Sequence, residues 1–139
     1  MNGRPLDLSR VSKIAPSILE CWHLGSESGN AIADVVFGDY NPAGRLTQTW
    51  VKDITDLPDL LDYNIRNGRT YMYFQGKPLY AFGHGLSYTS FAYNSIATNK
   101  ETLEKNKEIT VSVSVTNSGK RDGEEVVQLY VKSLDSAIQ

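Results

Sequence analysis

The chain is 139 residues long, 40% hydrophobic and 22% charged, the balance of a folded water-soluble protein and not of a disordered one. A formal net charge of -2, with Lys and Arg scattered along the chain, leaves no basic excess for a nucleic acid partner. No apolar run approaches the roughly 20 residues of a membrane-spanning helix, Met1 to Arg10 carry no signal-peptide core, and the single cysteine, Cys21, permits no internal disulfide.

In chain order, Asn2-Gly3-Arg4-Pro5 reads as a turn with no element before it, so the natural fold is expected to begin upstream. Residues 18–22 form a short apolar run ahead of Gly25, which suits a buried strand emerging into a loop. Ser28 is placed as an N-cap. Ala31, Ile32, Val35 and Val36 then recur at helical spacing up to Gly38, a natural C′ residue. Burying that stripe cannot by itself offset the chain entropy of a ten-residue helix, so the helix is expected to lie on a sheet. A turn cluster follows at Asn41-Pro42 and Gly44, and residues 53–67 read as a long polar surface excursion. Tyr71, Tyr73, Phe74 and Tyr80 surround Gln75-Gly76-Lys77-Pro78, which predicts a hairpin or a loop packed by rings, and Phe82 to Leu86 a tight crossing segment.

Beyond Ser87 the pattern changes to period two. Phe91 to Ile96 is a first strand. Ile109, Val111, Val113 and Val115 alternate with Thr110, Ser112, Ser114 and Thr116 in a second, and Val127, Leu129 and Val131 form a third after a turn-rich loop at 117–123. A complete immunoglobulin- or fibronectin-type sandwich takes about 100 residues. Three strands in residues 87–139 therefore make a sandwich that stops partway.

Most residues with possible chemistry have a simpler use. Gly25 to Gly29 fails as a nucleophile elbow because Glu27 holds the serine position, and Gly83-His84-Gly85 lacks the third glycine of a dinucleotide fingerprint. Asp53, Asp56, Asp59 and Asp62 recur every three residues but without the glycine and terminal glutamate of a calcium loop, so a solvated polar segment is preferred. Glu27 precedes a helix whose dipole favours its ionised form, the opposite of what a general acid needs; it is assigned to capping or loop order. His23 and His84 are taken as packed structural residues, and Trp22, Tyr71 and Tyr73 as packing rings in preference to sugar platforms.

Trp22-His23-Leu24-Gly25-Ser26-Glu27-Ser28-Gly29-Asn30-Ala31-Ile32-Ala33-Asp34, continued through Gly38-Asp39-Tyr40-Asn41-Pro42-Ala43-Gly44-Arg45-Leu46, resembles a C-terminal stretch of family 3 glycoside hydrolases. Asn67-Gly68-Arg69-Thr70-Tyr71, and Pro78 through Phe82-Gly83-His84-Gly85-Leu86-Ser87-Tyr88, resemble a further signature of that family. Val115-Thr116-Asn117-Ser118-Gly119 and Gly123 to Val131 are similar to its fibronectin type III-like domain. Leu24, Thr47 and Cys21 depart from the common pattern without disturbing it.

The resemblance implies a partial α/β sandwich of flavodoxin-like type over residues 1–86, then the start of a fibronectin type III-like β-sandwich over 87–139: α/β followed by all-β. It implies a parent that is a retaining exo-acting β-glucosidase or β-xylosidase needing no cofactor, often periplasmic or extracellular, with two carboxyls about 5 to 5.5 Å apart. Its nucleophile would lie on an N-terminal barrel and its acid/base ahead of residue 2, so no catalytic, cofactor or metal residue is assigned here. The expected partners are that barrel and, through the parent, a β-linked sugar, with self-association of the uncovered strands. The alternative is a freestanding carbohydrate- or protein-binding module using residues 71–80.

Overall fold

The computed structural model describes residues 4–133 and 135. Asn2 and Gly3 of the expected opening turn lie outside them. Helix α1 is a single turn, Val11–Ile14. Residues 18–22 form no strand: among the described residues no backbone hydrogen bond pairs them with another segment, and Trp22 sits at φ 47°. Ile18 and Leu19 stay exposed, which corrects the buried-strand expectation.

Helix α2 spans Ser28–Phe37. Glu27, not Ser28, holds the position before it, and no side chain caps its N-terminus; Ser28 N–H instead turns back to Gly25 O at 3.1 Å. The C-terminus matches the reading. Gly38 adopts φ 86°, a left-handed value natural to glycine, and its N–H bonds to Val35 O at 3.2 Å. Ile32 and Val35 are half-buried, but Val36 is exposed, so the buried stripe is narrower than the periodicity suggests. Nor does the helix lie on a sheet: among the described elements only the two strands pack on each other. Loop residues hold α2 in place, with Tyr88 OH donating to Val35 O at 2.6 Å and Arg121 donating to Gly38 O.

The polar excursion at 53–67 is built from its own side chains. Asp53 caps a 3₁₀ turn at Ile54–Asp56 by accepting from Thr55 N–H at 2.9 Å. Asp59, Asp62 and Asn64 each accept from the backbone N–H two residues on. Arg69 gathers the loop, its guanidinium donating to Asp62 O at 2.7 Å, Asp59 O at 2.5 Å and Pro58 O at 3.4 Å.

The aromatic region is not a local hairpin. Thr70–Tyr73 is one helical turn, α3, entered through Thr70 at φ 62°, a costly value for a β-branched side chain. Residues 79–84 then pair at long range with 46–50. Trp50 N–H donates to Tyr80 O at 2.8 Å, Leu79 N–H to Trp50 O at 2.7 Å, Leu46 N–H to His84 O at 2.8 Å and Gly83 N–H to Leu46 O at 2.7 Å. At this irregular antiparallel crossing sits Trp50, 2% exposed, the buried hydrophobic centre of the described residues.

Strands β1 (Phe91–Thr98) and β2 (Val111–Asn117) pair antiparallel. The apolar residues of β1 change parity between Tyr93 and Ile96, and a bulge at that point repairs the phase. Phe91 and Tyr93 before the bulge, and Ile96 and Thr98 after it, therefore face the same side as Val111, Val113 and Val115. The extra residue, Asn94, uses its side chain to donate to Thr116 Oγ1 at 2.7 Å. The expected third strand around Val127, Leu129 and Val131 is absent: these residues have no ladder partner among the described residues, and all three are exposed.

Gly38, just past the end of α2, and Gly29, within it, are expected to respond oppositely. Gly38→Val forces a β-branched side chain into φ 86° and should cost about 1–3 kcal/mol. Gly29→Ala, in open space within the helix, should stabilise by about 0.4–1 kcal/mol. Urea unfolding of both variants beside the parent measures the two signs.

Candidate functional site

The residues singled out for chemistry do not converge. Glu27 is exposed, and its Oε2 accepts from Asn30 Nδ2 at 2.6 Å, a loop-ordering contact. His84 stacks on Tyr80 with ring centroids 5.2 Å apart while its backbone sits in the crossing, and His23 is exposed. Trp22 is half-buried at φ 47°, its N–H bonded to Glu20 Oε1 at 2.9 Å. Tyr71 stacks on Phe82 at 4.5 Å and meets the edge of Tyr130 at 5.9 Å. Tyr73 is half-buried next to it, and Cys21 is half-buried with Sγ 4.0 Å from Leu19 O. The Asp53 and Asp62 carboxyls are held below the usual carboxylate value, Asp53 mainly by the backbone N–H of Thr55 and Asp62 mainly by the side-chain amide of Asn67.

What the fold does assemble is a junction between residues 38–45, the β hairpin and the returning segment 121–130. Arg45 and Glu125 are its centre: Nη2 meets Oε2 at 2.6 Å, with the two side chains only 11% and 17% exposed. Arg45 also donates to Ala43 O and Gly44 O, each at 3.1 Å, so its charge is met from both sides. Glu125 takes a further hydrogen bond from Tyr93 OH at 3.0 Å, which carries the hairpin onto the pair. Desolvation, and then the neighbouring Glu125 carboxylate, push the Tyr93 phenol above its ordinary value.

Asn41 is the second anchor. Its Oδ1 accepts from Ser87 Oγ at 2.9 Å and Tyr88 N–H at 2.7 Å, while its Nδ2 donates to Asp122 O at 3.1 Å. One amide thereby ties the turn after α2 to the hairpin entry and to the returning segment. Arg121 adds a cation over the Tyr88 ring, 5.5 Å from its centroid. Gly83, at φ 80°, lies where a Cβ would come within 2.6 Å of the Gln128 amide, so the returning segment passes directly against the crossing. Thr89, buried, donates to Asn117 Oδ1 at 2.7 Å and closes the joint from the β2 side.

Sequence reading missed Asn41, Arg45, Arg121 and Glu125 as a set. Asn41 and Arg45 stood in a turn cluster, and their most distant partners lie 81 and 80 residues away, beyond any local periodicity. A cavity of about 370 Å³ opens at the junction beside Arg45, Phe91, Tyr93 and Glu125, and another of about 300 Å³ lies beside Gln48, Thr49, Arg69, Tyr71 and Phe82.

The profile of the glycosyl hydrolase family 3 C-terminal domain matches residues 1–88, and the chain belongs to that family. It is 40% identical to a periplasmic β-glucosidase of Salmonella typhimurium, over 99% of this chain and 20% of that protein. It is 43% identical to a β-xylosidase of Formosa agariphila, over 95% of this chain and 19% of that one. Among solved structures, β-glucosidase 3B of Thermotoga neapolitana in complex with glycerol superposes with a TM-score of 0.75 at 29% identity, covering 88% of this chain and 19% of its own. The chain thus spans about a fifth of the length of these relatives.

The junction pair should show strong coupling. In a double-mutant cycle of Arg45→Met and Glu125→Gln, the interaction energy is expected at about 1–3 kcal/mol, because both groups are largely withdrawn from water. Each single variant should lose more stability than the double, which leaves no charge unpaired; urea denaturation of the four proteins measures it.

Proposed function

We propose that this chain is the C-terminal scaffolding portion of a retaining exo-acting β-glycosidase, whose full-length parent removes terminal β-linked glucose or xylose. The observation that carries this is the family match over residues 1–88 combined with relatives named β-glucosidase and β-xylosidase. In this reading residues 1–86 belong to a flavodoxin-like α/β sandwich and 87–139 to a fibronectin type III-like domain. The role of the chain is to close the first against the parent's barrel and to hold the second through Arg45, Asn41 and Glu125. Both reacting carboxyls then lie outside it, and the pair needed for glycosyl-enzyme chemistry is not reconstituted by Glu27 and the loop aspartates.

One observation favours the second reading, a carbohydrate-binding module. The cavity of about 300 Å³ beside Tyr71 and Phe82 offers a flat aromatic edge together with the Gln48 amide and threonine hydroxyls. Titration with glucose, xylose and short oligosaccharides separates the two: the scaffold reading expects no saturable binding.

The purified chain is expected to give no turnover of aryl β-glucosides or β-xylosides. Turnover that survives purification and disappears in Glu27→Gln would overturn the scaffold assignment. The same reading predicts self-association. The hairpin exposes Tyr93, Val113 and Ile96, the last 71% exposed, on one apolar face, and both its strands are edges. Sedimentation should show assembly rising with concentration and reduced by Ile96→Lys; a monomer at all concentrations would mean the face finds cover within the chain.

A further inference from the structure

We infer that the Asn67-Gly68 link is a self-modification site, at which the chain converts Asn67 to an aspartate or isoaspartate linkage and thereby releases the loop that Arg69 gathers. The chemistry needs an exposed asparagine amide, a following backbone nitrogen that is free to attack, and little steric cover. All three are present. Asn67 is exposed on a turn. Gly68 N–H meets no acceptor among the described residues, whereas the N–H groups on either side are engaged, Asn67 with Asn64 O and Arg69 with Ile65 O, both at 3.0 Å. Gly68 is half-buried at φ 87°, and a Cβ there would meet nothing within 4 Å, so no neighbouring group crowds that face of the residue.

In the reaction Gly68 N loses its proton and attacks Asn67 Cγ. The new N–Cγ bond closes a five-membered imide, the Cγ–Nδ2 bond breaks, and Nδ2 departs as ammonia carrying the proton given up by Gly68. Water then opens the ring, at Cγ to leave an ordinary aspartyl peptide, or at the main-chain carbonyl to leave an isoaspartyl one. No oxidant or other co-reactant enters.

The structure also supplies a restraint and a consequence. Asn67 Nδ2 donates to Asp62 Oδ2 at 2.7 Å, which holds the leaving amide in place and makes its carbon less electrophilic. After conversion the donor is replaced by a second carboxylate facing Asp62, and like charges at that spacing repel. Asp62 is the residue whose carbonyl receives Arg69 Nε and whose other oxygen caps Asn64, so repulsion there loosens both contacts. Asparagine thermolability becomes, at this position, a timer on loop order.

The test is incubation of the purified chain at mildly alkaline pH, with peptide mapping by mass spectrometry and isoaspartyl methyl-transfer as readouts. Product is expected at position 67, several-fold faster in Asp62→Ala, where the restraint is gone, and lost in Asn67→Gln and Gly68→Ala. Hydrogen exchange should then show the 58–66 amides less protected both in converted protein and in Asn67→Asp. Absence of product in the folded chain, under conditions where the same chain in urea converts, overturns the site. Unchanged exchange in Asn67→Asp overturns the loop release. Neither readout depends on what the parent enzyme hydrolyses.

Discussion

Taking a carboxylate and a guanidinium out of water together is tolerated only when each finds every partner it loses, and the arrangement around Arg45 and Glu125 depends on that demand. Arg45 is satisfied by Ala43 O, Gly44 O and Glu125, and Glu125 by Arg45 and Tyr93 OH. The contacts come from three separate stretches of chain. None can move without leaving a largely buried charge short of a partner, so the turn after α2, the hairpin and the returning segment are held in one relation. Asn41 repeats the logic with a neutral group, spending both ends of its amide on the same three stretches.

Polar anchoring of this kind matters because apolar burial is thin. Trp50 is the buried hydrophobic side chain among the described residues, while Leu60, Leu61, Tyr63, Phe37 and Ile96 stand in solvent. Hydrophobic association has no preferred direction and would tolerate many arrangements of such a chain. Hydrogen bonds with fixed geometry specify one. The crossing of residues 46–50 with 79–84 and the Arg69 grip on the 58–62 carbonyls do the same for the aromatic segment and the polar loop.

How much of this was legible follows from range. Gly38, the body of α2, the 53–67 excursion and the two hairpin strands were read from local patterns of fifteen residues or fewer, and the structure bears them out. The strands expected at 18–22 and around Val127 were misread for one reason: apolar runs and alternation announce a segment suited to a sheet, but a strand exists only where a neighbour supplies the ladder. Val36 was assigned to the core because the helical period shows which residues share a stripe, not how wide a stripe is covered.

The sequence by itself determined the family, the body and end of α2, the polar character of the loop and the phase of the second hairpin strand, since each rests on side-chain spacing or on backbone angles open to particular residues. Only the tertiary structure decided that Asn41 and Arg45 reach across 80 or more residues to the 122–125 segment, that Trp50 is the buried centre, and that the aromatic segment pairs with 46–50 and not with itself. Those contacts join groups whose separation along the chain leaves no periodic trace, and their partners are chosen by the need to satisfy buried polar atoms once the chain has folded back.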